Sequence, residues 1–183
     1  MSKLLTRALK ISVIPAILLI AGKFLGILGT SLIYNLNFQI SNDLGTDFSV
    51  QIFYPDASTT LFVNSISNLV MIIFIAIPLI IFITKTYLYN TVAKNPRTII
   101  KMTRFNMLKW VTSKDTSFLK IFIWCAFLWV ACGITIAHTL QGNTYEWIGI
   151  LAGSLALLAS LFTIKTFEIE TDNIYPTEHN RYY

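Results

Sequence analysis

Lys23 is the residue in this 183-residue chain that most needs a chemical explanation. It stands in AGKFLG, in the middle of an apolar run expected to cross a membrane. A cation there costs a few kcal/mol on insertion scales and more on an isolated helix. The sequence offers it no obvious buried counter-ion. In a functional reading, Lys23 meets an acid of a partner subunit, a lipid phosphate or an ion pathway. In a plainer reading, the span is tilted or broken and the long side chain snorkels to an interface.

A second group of polar residues falls at one end of two other expected spans. His138 is near the outer end of the third span, and Asn64 and Asn68 are at the outer end of the second. The i, i+4 spacing puts both amides on one helix face, so the three residues are a candidate cluster. Haem held by two histidines is excluded within one chain, because the only other histidine, His179, falls on the opposite side of the membrane. Cys125 and Cys132 are about 10 Å apart along a helix axis, too far for a disulfide. They also lack the short spacing that zinc prefers. They read as small apolar packers, and Trp124, Phe127 and Trp129 as core or lipid-facing residues rather than a cofactor box. There is no Gly-rich phosphate loop, no HExxH and no GxSxG. No catalytic residue, cofactor or metal site is therefore expected, and nothing positive marks an enzyme.

These residues must be positioned by membrane helices. Apolar residues make up 55% of the chain and charged ones 13%, too little charge to cover a soluble surface of this size. Hydropathy divides the chain into four spans, at about 11–36, 60–89, 117–140 and 145–167. About 20 helical residues cross the hydrocarbon layer, so each run is long enough. Pro78 should kink the second span by removing a backbone hydrogen bond. Gln141-Gly142-Asn143-Thr144 is a tight turn joining the last two.

Between the first two spans, the outer loop 37–59 changes to an alternating pattern through Phe38, Ile40, Val50, Ile52 and Tyr54. Asn42-Asp43-Leu44-Gly45 supplies turn chemistry, and a small extracytoplasmic β-hairpin is expected. The stretch Lys94–Lys114, inside the cytosolic loop 90–116, divides the chain into two hairpins. In it Arg97, Lys101 and Arg104 share one arc of a helical wheel, with Ile99, Ile100, Met107, Trp110 and Val111 opposite. This is the pattern of a basic amphipathic helix lying in the headgroup layer, where Arg97, Lys101, Arg104 and Lys109 would contact anionic lipid. The tail 168–183 is polar.

Charge sets the expected sidedness. Of the 14 Lys and Arg, all but Lys23 fall in or beside the N-terminal tail, the middle loop or the C-terminal tail, and 37–61 and 141–144 have none. Cytosolic loops retain such residues. The expected architecture is an all-α integral membrane protein of the plasma (inner) membrane, with four transmembrane helices in two hairpins and both termini cytosolic. The pI of about 9.3 is then a topology signal, and no nucleic-acid partner is expected.

Small residues mark packing faces: Gly22, Gly26 and Gly29 in the first span, and Gly149, Gly153, Ala156 and Ser160 in the fourth. Such spacing lets helix backbones approach closely, within one chain or between subunits. Lys23 lies at the edge of the first face. The leading functional expectation is a non-enzymatic multi-pass subunit or scaffold of a larger membrane assembly serving secretion, transport or energy conversion. Anionic lipids and other membrane subunits, or further copies of the chain, would be its partners. Alternatives are a small homo-oligomeric channel or transporter, and a membrane enzyme acting on lipid phosphates.

Overall fold

The computed structural model describes residues 3–36, 39–40, 52–54, 56–94, 100 and 118–174. Four long helices, α1 (Lys3–Ile33), α2 (Ala57–Lys94), α3 (Phe118–Leu140) and α4 (Glu146–Ile174), are connected in two antiparallel hairpins. All four are long and apolar enough to cross a membrane, with candidate spans Leu5–Ile33, Ala57–Tyr89, Phe118–Leu140 and Glu146–Ile169. One end of the bundle holds Ile33, Ala57 and the turn 141–145, and is called the loop end below; Lys3, Lys94, Phe118 and Ile174 lie toward the opposite, terminal end.

Helix ends are set by local chemistry. Asn35 takes a left-handed conformation after α1 (φ 50°), and Leu36 N–H then reaches back to Ser31 O at 2.9 Å. Gly142 does the same after α3 (φ 74°), and Asn143 N–H reaches His138 O at 2.9 Å. Both are Schellman ends, which satisfy carbonyls that the last helical turn leaves without partners. The Asp56 backbone carbonyl accepts the Thr60 N–H at 3.0 Å at the start of α2. Glu146, in the first turn of α4, suits the positive end of the helix dipole.

Two features differ from the expected boundaries. The helix of the first span begins at Lys3 rather than Ile11, so the basic segment containing Arg7 and Lys10 is helical. The last helix runs past Phe167 to Ile174, carrying part of the polar tail with it. In both cases the added residues simply continue an established helix, and propagation is cheap once a nucleus exists. Pro15 in α1 and Pro78 in α2 both stand inside helices that continue through them.

α1 packs on α2 and α3, and α4 packs on α3 and α2, so α2 and α3 form the central diagonal of the bundle. The core runs through Met71, Ile75 and Leu79 of α2, Ile121, Leu128 and Cys132 of α3, and Ala152 and Ala156 of α4. Phe82 and Trp124 meet edge to face, with ring centroids 5.7 Å apart. Large apolar side chains on the outside stay uncovered, among them Ile17, Phe24, Ile77, Phe122, Leu157 and Leu161. Contiguous apolar surface of this kind is untenable in water and ordinary against lipid. The fold is that of a multi-pass membrane protein.

Beyond α1, Gln39–Ile40 and Ile52–Phe53 pair as two short antiparallel strands, β1 and β2, with Gln39 opposite Phe53 and Ile40 opposite Ile52. The rest of the expected hairpin, including its turn at 42–45, lies outside the described residues. So does nearly all of the expected amphipathic helix, with Arg97, Lys101, Arg104 and Lys109.

Candidate polar site at the loop end

Asn68 is the hub of the polar chemistry. It is fully buried on the face of α2 that meets α1 and α3. Lys23 Nζ, from α1, donates to its Oδ1 at 2.6 Å. Its Nδ2 donates to Thr144 Oγ1 at 2.8 Å and lies 3.3 Å from His138 Nδ1. An ammonium has no acceptor, so the orientation of the amide is decided: Oδ1 must face Lys23 and Nδ2 the other two. His138 can then accept only through a bare Nδ1, which leaves its proton on Nε2. One side chain thus joins α1, α2, α3 and the 141–144 turn.

Close backbone approach makes these bonds possible. A Cβ added at Gly26 would lie 2.5 Å from Ser67 Cα, and one at Gly22 would lie 3.0 Å from Met71 Cα. The two glycines hold α1 tightly against α2, on either side of Asn68. Lys23, adjacent to Gly22, is thereby aimed at protein and is only partly exposed. It is anchored by a neutral amide; among the described residues no carboxylate pairs with it. A second tie lies one turn nearer the loop end, where Tyr145 N–H donates to Ser65 Oγ at 3.0 Å.

Asn68 and His138, expected to cluster, do meet. Asn64 does not join them: it offers its backbone carbonyl to Ser67 Oγ at 3.0 Å, one turn away. The i, i+4 pattern places both amides on one face, but it is Asn68 that Lys23, Thr144 and His138 meet. Thr144 and Ser65 escaped the sequence reading. Hydroxyls between a turn and an apolar run look like ordinary capping groups, and no sequence signal separates the two roles.

The small residues of the fourth span are used within the chain. A Cβ at Gly149 would lie 2.7 Å from Thr139 Oγ1, Gly153 faces Ile136, and Ala156 is buried in the core. Ser160 Oγ accepts the Trp129 indole N–H at 2.8 Å. Other hydroxyls, including Thr30, Thr135, Thr163 and Thr166, bond back to carbonyls one turn earlier in their own helices. That local bond spares them an unsatisfied hydroxyl in an apolar medium. Cys125 and Cys132 are free and buried. Among the described residues no group of three or more His, Cys, Asp or Glu could hold a metal ion. The chain matches no protein-family model, no curated protein and no solved structure.

Chemically, the site ties three helices and a turn together through one amide. Its groups are a cation, an amide, a neutral imidazole and a hydroxyl, and the imidazole's bare nitrogen is taken up by the amide rather than a nucleophile.

Proposed function

We propose that the chain is a non-enzymatic, multi-pass subunit or scaffold of a larger membrane assembly. The observation that carries this reading is the use of Lys23. That lysine, the polar feature with the best claim to transport or catalysis, helps lock α1 to α2, α3 and the turn. A group held by a buried amide at 2.6 Å serves rigidity better than conduction. The interior of the single bundle is filled by residues such as Met71, Ile75 and Leu128, which argues against a pore through one copy.

Charge supports an orientation with both termini in the cytosol of a cell whose plasma membrane the chain spans. Arg7, Lys10, Lys85, Lys120 and Lys165 all lie toward the terminal end of the bundle, and Lys23 toward the loop end. Basic residues are retained on the cytosolic side. Anionic headgroups on that face, and other membrane subunits against the outward faces of the helices, are the proposed partners.

Affinity purification of the full chain from its native membrane in mild detergent tests the reading. Stoichiometric membrane proteins should co-purify and survive a salt wash. A lone monomer that restores full function in liposomes would overturn it.

A further inference from the structure

The two hairpins are of unequal height. Lys23 and Asn68 stand at the level of Thr144, where the second hairpin turns over. The turn itself reaches one turn higher, where Tyr145 bonds Ser65; beyond that level α2 extends from Ser65 back to Ala57, about 12 Å, and α1, in which Gly26 meets Ser67, from about Leu28 to Ile33, about 8 Å, at ~1.5 Å per residue. In the other direction Lys23 to Lys3, and His138 to Phe118, each span about 30 Å, the thickness of a hydrocarbon layer. Aromatic side chains mark both levels. Tyr145 and Trp147 flank the short turn, whereas Tyr34 meets Phe62 edge to face further out. Aromatic residues of this kind sit at the headgroup level. Lipid beside α3 and α4 therefore places its headgroups deeper than lipid beside α1, and the exposed residues Gln141, Gly142 and Asn143 line the lower step.

Lys23 lies at the foot of that step. Its ammonium carries three donors, of which Asn68 takes one. A partly exposed cation at headgroup depth, with donors to spare and no described carboxylate, matches the chemistry of a phosphate oxyanion. We propose that Lys23 binds a phosphate group at the loop end of the bundle, supplied by a phospholipid headgroup that settles on the step above the 141–144 turn. Asn68 positions the ammonium and His138 positions Asn68. The proposal is independent of whether the chain has protein partners.

Amine labelling of the intact protein in neutral detergent tests it without a variant. Acetylation of Lys23, read by mass spectrometry, should slow several-fold when phosphatidylglycerol is added, and diacylglycerol, which lacks the phosphate, should give no protection. Protection by inorganic phosphate at the same concentration would keep the chemistry and assign it to the free ion. Native mass spectrometry supplies the second reading: Lys23→Met should retain one phospholipid fewer than the wild type, and Lys23→Arg should restore it. Equal protection by both lipids, or equal retention by all three proteins, would overturn the proposal. So would a carbodiimide cross-link from Lys23 to a carboxylate in this chain or another.

Discussion

Replacing Asn68 by leucine should uncouple the two hairpins. Leucine nearly conserves volume, so the loss is polar rather than a cavity. Three interactions disappear: the bond from Lys23 at 2.6 Å, the bond to Thr144 at 2.8 Å and the longer contact with His138 at 3.3 Å. Bonds to charged groups contribute about 1.5–3 kcal/mol in soluble proteins, and interhelical bonds in membrane proteins average about 0.6 kcal/mol. Counting the charged bond at the low end of its range, the Thr144 bond at the membrane average and the weak imidazole contact at nearly nothing gives roughly 2 kcal/mol. Leaving the part-buried ammonium without its acceptor brings the expected loss to about 3 kcal/mol. Unfolding of Asn68→Leu in mixed micelles of increasing dodecyl sulfate, followed by far-ultraviolet circular dichroism, measures this. A double-mutant cycle with Lys23→Met isolates the ammonium bond, and the pair should couple by about 1.5 kcal/mol. A loss below about 0.5 kcal/mol with no coupling would show that Asn68 is not the hub and would refute the reasoning.

Other substitutions test the packing. Gly26→Ala sets a Cβ 2.5 Å from Ser67 Cα, so the helices must separate; the ~1–3 kcal/mol overpacking cost outweighs the helix-propensity gain of about 1 kcal/mol. At Gly29, where an added Cβ meets nothing within 4 Å, alanine should instead stabilise by up to about 1 kcal/mol in the same micelle titration. Trp129→Phe loses the indole bond to Ser160 and should cost about 0.6 kcal/mol; an unchanged unfolding midpoint would place that bond outside the stability of the bundle. Cys125 and Cys132 are buried, so maleimide should label them only once dodecyl sulfate has unfolded the chain. A cysteine placed at Asn143 should react with a membrane-impermeant reagent from outside the cell, and one at Arg104 should not; the reverse pattern would invert the proposed orientation.

Four membrane helices were legible in the sequence because lipid imposes a long, uninterrupted apolar run, which survives in a linear string of residues. The 141–144 turn and the intrachain approach of small residues could be anticipated for the same reason: glycine announces itself locally. The ends were less legible, because a helix already formed runs on into basic or acidic residues, as at Lys3 and Ile174, without a change of composition to mark it.

What only tertiary structure decided is who meets Lys23. Composition makes the lysine look unpaired, since the usual partner is an acid and none lies nearby in the sequence. The answer is an asparagine 45 positions away, itself engaged by a hydroxyl 76 positions further on. Register between helices is set by side-chain interlocking across the bundle, with Gly26 against Ser67 as its tightest point among the described glycines, and no local pattern encodes it. The same register brought Asn68 rather than Asn64 to Lys23, Thr144 and His138, and it set the relative heights of the two hairpins on which the proposed phosphate site depends.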